Sequence, residues 1–110
     1  WSNYTNNPAM LRKAYKNSLY VLAAYADGKL VGILRAVGDG ASVVFLQDLI
    51  VLSEFQRHGI GSQLMRKVME KYADVYQLQL LTEASEKNIA FYEFLGLKRV
   101  EKYGCCAFIR

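Results

Sequence analysis

A buried strand that leads through a glycine-containing loop into a helix constrains this chain more than any other feature. The apolar run Val43–Leu52 is followed by residues 56–61, which read Gln-Arg-His-Gly-Ile-Gly, and by an amphipathic helix predicted over Ile60–Tyr72. Glycine lets the backbone take positive φ and approach a ligand without a Cβ in the way. The first amides of a helix are unpaired within it and lie at its positive dipole end. The junction therefore predicts a binding site for a phosphate or pyrophosphate.

Composition excludes several classes of protein. The chain has 110 residues, 53% of them hydrophobic, which predicts one domain with its own core. No apolar stretch approaches the ~20 residues that span a bilayer, so no membrane association is expected. A net charge of +4 from scattered basic residues suits a small anionic ligand and not a nucleic acid. Adjacent Cys105 and Cys106 are interpreted as reduced thiols of a cytoplasmic protein, and a single histidine predicts no metal site.

Turn signals predict three consecutive antiparallel strands before the loop. Asp27-Gly28 and Asp39-Gly40 each separate two apolar runs, as in hairpins. The predicted elements are a helix from Asn7-Pro8 to about Lys16, strands Leu19–Ala26, Lys29–Val37 and Ala41–Leu52, the helix Ile60–Tyr72, a strand Gln77–Ala84, a helix from Ser85 to about Leu95, and a last hairpin of Leu97–Tyr103 and Cys105–Arg110 that turns at Gly104.

The third strand is apolar on both of its alternating faces. One face carries Val44, Leu46, Ile50 and Leu52, and the other carries Val43, Phe45, Leu49 and Val51. A strand buried on both faces lies inside a sheet that helices cover on both sides. We therefore expect a single-domain α/β (α+β) fold with a mixed, mostly antiparallel sheet.

Two common nucleotide-binding loops do not match the junction. A Walker A loop requires Lys and then Ser or Thr after its last glycine, whereas Ser62 and Gln63 follow Gly61. A dinucleotide fingerprint requires a third glycine at the position of Leu64. Glu83 does lie where the ribose-binding acid of such a fold would lie, but three preceding antiparallel strands contradict a doubly wound sheet.

A second pair of residues identifies the family that this chain resembles. Asn88 and Tyr92 are four residues apart on the later predicted helix and project from one face. Together with Gln-x-x-Gly-x-Gly at this separation, they make the chain similar to the GNAT family of acyl-CoA N-acyltransferases from the first hairpin to Arg110. The resemblance implies a sheet that is splayed at the cofactor site.

The resemblance also implies roles for individual residues, with acetyl-CoA as the cosubstrate. Asn88 corresponds to the residue that hydrogen-bonds the pantetheine arm, and Tyr92 to the general acid that protonates the departing thiolate. The strand backbone that pairs with the pantetheine arm corresponds to Leu49, Ile50 and Val51. The loop that holds the pyrophosphate corresponds to Gln56, Arg57, His58, Gly59, Ile60, Gly61 and Ser62.

The general base is assigned to Asp48 by a separate argument. An attacking amine must lose a proton, so a base or a water chain is needed. Asp48 lies within an apolar strand, where burial disfavours a charged carboxylate and makes it a stronger base. A purely structural role at a β-bulge is the alternative interpretation of Asp48, and another carboxylate or an ordered water is the alternative base.

The expected function is transfer of an acetyl group to a primary amine by direct attack in a ternary complex. The acceptor is a small molecule or a peptide, and the alternative function is a non-catalytic acyl-CoA-binding or sensor domain. About eighteen residues precede Leu19, so residues 1–110 are expected to form one N-acetyltransferase domain without the family's first strand. Either the natural chain extends at its N-terminus, which we expect because Trp1 is not a start residue, or a second subunit in a homodimer fills that edge.

Overall fold

The structure is a computed structural model and describes residues 6–110. These residues contain three α-helices and four strands. The strands form one sheet in the order of the chain. The elements are α1 (Pro8–Lys16), β1 (Tyr20–Ala26), β2 (Lys29–Gly38), β3 (Val43–Val51), α2 (Ile60–Lys71), β4 (Gln77–Leu80) and α3 (Glu86–Phe94), with short 3₁₀ helices at Ser53–Phe55 and Val100–Tyr103.

Two tight turns connect the first three strands, as the sequence predicts. Asp27 and Gly28 both have positive φ, at 51° and 79°, and join β1 to β2 in a two-residue turn. Asp39 opens the turn between β2 and β3, where its Oδ1 accepts hydrogen bonds from the amides of Ala41, Ser42 and Val43. A hydrogen bond from the Ser42 hydroxyl and these amides hold the pKa of Asp39 well below its usual range.

The sheet is mixed because β4 lies parallel to β3, whereas the other neighbouring strands are antiparallel. Parallel pairing begins at Val43↔Gln77 and ends at Leu46↔Leu80, although β3 continues to Val51. The strand predicted over Gln77–Ala84 was too long, because β4 leaves β3 after Leu80. The predicted splay between these two strands is confirmed.

A β-bulge in β3 changes which residues face the core. Ile33 pairs with Ile50 and Arg35 with Gln47, so Asp48 and Leu49 together lie opposite Leu34. One extra residue reverses the alternation along the rest of the strand. The prediction that Ile50 shares the buried face of Leu46 was therefore wrong: Ile50 is 42% exposed, and Leu49 packs against the core instead.

Helices cover both faces of the sheet, as predicted. On one face, Leu64, Met65 and Val68 of α2 are buried against residues of β2 and β3. Arg35 alternates with Leu34 and therefore lies on the other face. There its guanidinium lies 5.4 Å from the ring of Tyr15 in α1.

The predicted last hairpin is wrong. Val100–Tyr103 forms a 3₁₀ helix, and residues 105–110 have no regular secondary structure. Gly104 does turn the chain, with φ of 72°. A lone hairpin is only marginally stable in water, and no strand among residues 6–110 pairs with this segment. Local bonds such as Lys102 N–H to Arg99 O, at 3.0 Å, stabilise the 3₁₀ turn instead.

Candidate functional site

The loop after β3 leaves the first amides of α2 without a side-chain cap. Gly59 is the N-cap residue, with φ of 80°, and it has no side chain that could accept a hydrogen bond. The first bond into the helix is donated by Gln63 N–H to Gly59 O, at 3.0 Å. The amides of Ile60, Gly61 and Ser62 precede this bond and lie at the positive end of the helix dipole. This is the geometry that favours an anion.

Arg57 has an unusual backbone conformation next to this helix start. Its φ is 67°, in the left-handed region that residues with a Cβ rarely adopt and that costs roughly 1–2 kcal/mol. Both Arg57 and His58 are exposed, so their side chains reach solvent beside the open amides. Strained backbone of this kind is commonly retained where it serves a ligand.

Gln56, the first residue of the motif, connects the loop to the end of β3 through a hydrogen bond. Its side-chain Nε2 donates a hydrogen bond of 3.0 Å to the carbonyl oxygen of Val51. The resemblance assigns Gln56 to the cofactor-binding loop and Val51 to the strand that pairs with the pantetheine arm. The structure thus brings these two predicted site residues into direct contact.

The start of α2 lies close to α3 at Gly61. A Cβ at this position would lie 3.5 Å from Cζ of Phe91 and 3.9 Å from Cγ2 of Val51, which are ordinary contact distances. The helix start, the end of β3 and α3 therefore meet at Gly61. The sequence pattern gave no signal for the part that Phe91 takes in this contact.

One edge of β3 faces the gap that opens where β4 departs. Ile50 and Val51 pair with Ile33 and Gly32 of β2 on their other side. Among residues 6–110, no strand pairs with the opposite edge beyond Leu46. An edge of this kind can accept an extended ligand as an added strand.

Asn88 and Tyr92 both lie on α3, as predicted, four residues apart. The side-chain Nδ2 of Asn88 donates to Glu83 O at 3.2 Å, which fixes the segment that leads from β4 to the helix. Tyr92 is half-buried, and burial raises the pKa of its phenol, partly offset by a hydrogen bond with the Thr82 side chain. The phenol is therefore protonated at neutral pH, which is the form that a general acid needs, although the raised pKa makes it a weaker proton donor. Sequence reasoning did not predict the contact with Thr82.

A small cavity lies where β3 and β4 separate. Its volume is about 30 Å³, enough for a water molecule. Asp48 and Tyr92, the two predicted catalytic residues, both line it. The remaining lining residues are apolar: Leu34, Leu46, Leu49, Met65, Leu80 and Leu81.

Asp48 is buried and paired with a residue that sequence reasoning missed. Its Oδ2 accepts a hydrogen bond of 2.7 Å from Nε of Arg35, and the two side chains are 2% and 9% exposed. Asp48 lies in the bulge, with φ of 61°. Nothing in the sequence pattern marked Arg35, because the pairing depends on the register between β2 and β3.

A larger surface groove lies elsewhere. It has a volume of about 780 Å³ and runs between β1 and α2, where only Ile60 belongs to the predicted site. Within residues 6–110 no group of three or more His, Cys, Asp or Glu side chains could hold a metal ion. Over the same residues, no helix combines the length and the apolar character needed to cross a bilayer.

Comparison with known proteins gives consistent matches. A sequence model of the acetyltransferase (GNAT) family matches residues 2–97. A GNAT family acetyltransferase from Streptococcus pneumoniae TIGR4 is 44% identical, with a TM-score of 0.89 over 93% of this chain and 77% of that protein. A protein from Deinococcus radiodurans R1, proposed to be an acetyltransferase, is 30% identical, with a TM-score of 0.77 over 94% of this chain and 68% of that one.

A more distant structure carries ligands. The aminoglycoside N-acetyltransferase AAC(6')-Iy has been solved with CoA and with the bisubstrate analogue CoA-S-monomethyl-acetylneamine. In the complex with the analogue it is 23% identical to this chain, with a TM-score of 0.72 over 94% of this chain and 79% of that one. At this identity the likeness shows the fold alone.

Proposed function

This chain belongs to the GNAT family of acetyltransferases, and we propose that it transfers the acetyl group of acetyl-CoA to a primary amine. The acceptor we propose is a small molecule or a peptide. One observation carries the proposal: β3 parts from β4 at a gap that has open helix amides near one end and Tyr92 at the other. From Val51, next to the loop, to Asp48 at the cavity, β3 spans about 10 Å at ~3.3 Å per residue.

We propose that backbone groups make most of the contacts to the cofactor. The amides at the start of α2 are proposed to hold the pyrophosphate, and the open edge of Leu49–Val51 is proposed to pair with the pantetheine arm. Asn88 is proposed to add a side-chain hydrogen bond from α3. Because Gln56 already donates to Val51 O, we propose that this side chain sets the angle at which the loop meets the strand.

Catalysis requires two proton movements and one exchange of bonds. The amine nitrogen attacks the thioester carbon, the carbon–sulfur bond then breaks, and the amine loses a proton. Tyr92 is proposed to donate its phenolic proton to the leaving thiolate, and Asp48 to accept the amine proton directly or through water. Both residues line one small cavity, whose other lining residues are apolar. Holding both reactants in one ternary complex supplies much of the rate without a covalent enzyme intermediate.

The AAC(6')-Iy complexes supply a fold-level analogy for the acceptor class. That protein is an aminoglycoside N-acetyltransferase. For this chain the analogy supports a panel of small polyamines, amino sugars and peptide amines as the first acceptors to test.

The proposed function is tested by measuring acceptor-dependent release of free CoA thiol from acetyl-CoA with a thiol-reactive dye. Cys105 and Cys106 are exposed and will consume dye, so each rate is read against a reaction without acceptor. We expect thiol release to rise with acceptor concentration for at least one amine. Calorimetric binding of acetyl-CoA without turnover across the panel would favour the sensor function, and no binding would contradict the cofactor assignment.

A further inference from the structure

The β3 bulge is held in a conformation that its sequence does not favour. Asp48 and Leu49 share the position opposite Leu34, and Asp48 has φ of 61°. Aspartate tolerates the left-handed region better than most residues with a Cβ, but still at a cost. A buried contact made in this conformation can offset that cost.

The ion pair between Arg35 and Asp48 is such a contact. The Nε–Oδ2 distance is 2.7 Å, and both side chains are almost completely buried. Two further contacts hold Arg35. Its Nη1 donates to Ser18 Oγ at 3.4 Å, and its guanidinium lies over the ring of Tyr15 in α1. If either partner were removed, the other would stay buried without this ion pair, which is destabilising. The guanidinium therefore connects α1 to the bulge.

The bulge lies where the sheet opens. Pairing between β3 and β4 stops at Leu46, two residues before Asp48. A bulge bends its strand and increases the local twist. Without the extra residue, β3 would return to one-to-one pairing with β2, and every residue from Leu49 to Val51 would shift by one position and change face.

We infer that Arg35 is a positioning residue of the transferase reaction. Through its buried pair with Asp48 it fixes the β3 bulge, and the bulge sets the backbone edge at Leu49–Val51 and the gap beside it. The inference rests on the proposed function, because this edge matters only if it binds the pantetheine arm.

The first experiment compares Arg35→Met and Arg35→Lys with the matched control Arg99→Met. Arg99 also forms an arginine–carboxylate pair, with Glu101 at 2.8 Å, but the side chains of both residues are more than half exposed. Binding of CoA is measured by calorimetry at a temperature at which circular dichroism shows each variant to be folded. If only about a tenth of the variant molecules keep the bulged register, the apparent affinity for CoA falls about tenfold. We expect at least this loss for Arg35→Met, a smaller loss for Arg35→Lys, and no change for Arg99→Met.

A second set of variants separates positioning from proton transfer. Asp48→Asn keeps an oxygen that can accept from Arg35 and keeps the tolerance for positive φ, so its KM for acetyl-CoA should stay within about threefold of the wild-type value. A fall in kcat without a change in KM would indicate that Asp48 acts as the base and that the bulge is intact in this variant. If Arg35→Met does not fold, the double variant Arg35→Met/Asp48→Asn removes both buried charges, and it is expected to fold and to bind CoA weakly.

The possible results distinguish this inference from the function on which it rests. If the wild-type protein binds CoA and the folded Arg35 variants bind it equally well, the positioning role is overturned and the proposed function stands. If the wild-type protein does not bind CoA, the proposed function fails first. A loss of affinity in the Arg35 variants that is absent from Arg99→Met supports the inference.

Discussion

The helices α2 and α3 begin in different ways, although each follows a strand of the same sheet. The start of α3 is capped by Ser85, whose Oγ accepts from the amide of Asn88 at 3.1 Å. The first helix, α1, is capped in the same manner by Asn7, which accepts from the amide of Met10. Only α2, among the helices of residues 6–110, begins at a glycine without a side-chain cap.

This difference separates two kinds of contribution to the proposed site. A side-chain cap is worth about 1 kcal/mol, and α2 lacks that stabilisation. In return, its first amides stay available to an anion. The capped helix α3 instead offers side chains, Asn88 and Tyr92, on one face. We therefore interpret α2 as the helix that binds through its backbone and α3 as the helix that acts through its side chains.

The largest effect is expected from removing one side-chain atom on α3. Tyr92→Phe lacks the phenolic proton, and a general acid typically contributes about 10²–10⁴-fold to the rate. We expect kcat to fall by at least about 100-fold, while calorimetry shows an almost unchanged affinity for acetyl-CoA. Tyr76→Phe is the control, because Tyr76 is 82% exposed and lies outside the cavity. A normal kcat for Tyr92→Phe would show that α3 does not supply the acid.

The next effect is expected from a change of backbone conformation at the start of α2. Gly59→Val places a β-branched residue at φ of 80°, at a cost of about 1–2 kcal/mol, and displaces the open amides. We expect CoA affinity to fall about 5–30-fold if this cost falls on the bound conformation.

Gly96→Val is the matched control for Gly59→Val. Gly96 follows α3, has φ of 94°, and like Gly59 has no atom near the position of an added Cβ. Both variants should therefore lose similar stability in thermal unfolding. If they also bind CoA equally well, the start of α2 is not the pyrophosphate site.

Local signals predicted most of the fold. Asn7 before Pro8, Asp27-Gly28 and Ser85 each mark an element boundary through chemistry that acts within a few residues, and the structure has these boundaries. The failures depend on long-range pairing. How far β4 extends, and whether residues 97–110 form strands, is decided by which strand lies next to them, and periodicity alone cannot show that.

The residues of the candidate site also divide into those that local motifs predict and those that depend on long-range pairing. The loop and the Asn88/Tyr92 pair stand out in the sequence because each motif is short and local. Arg35 does not, because it meets Asp48 only through the bulged register of two strands. The bulge also reversed the face of Ile50, since one extra residue shifts a period-two pattern by half a period.

A smaller effect is expected at the capped helices. Asn7→Ala removes the oxygen that accepts from Met10 N–H, and it should lower the free energy of unfolding by about 1 kcal/mol. In a domain of this size that corresponds to a fall in Tm of roughly 4–8 °C. CoA affinity should not change, because Asn7 lies outside the proposed site. A loss of affinity without a loss of stability would mean that α1 contributes to binding, and the division between capped and uncapped helices would not hold.

The smallest effect concerns the pH dependence of stability that Tyr92 contributes. Burial raises the pKa of the folded Tyr92 phenol above its usual value of about 10, so the unfolded chain releases this proton first as the pH rises. The stabilisation is fully present below about pH 10 and is lost as the pH rises through the folded pKa. Thermal unfolding should therefore show the Tm of the wild-type protein falling relative to that of Tyr92→Phe above about pH 10. Exposed Tyr76 supplies the reference: if Tyr76→Phe gives the same divergence, the burial of Tyr92 among the side chains of the cavity is not its cause.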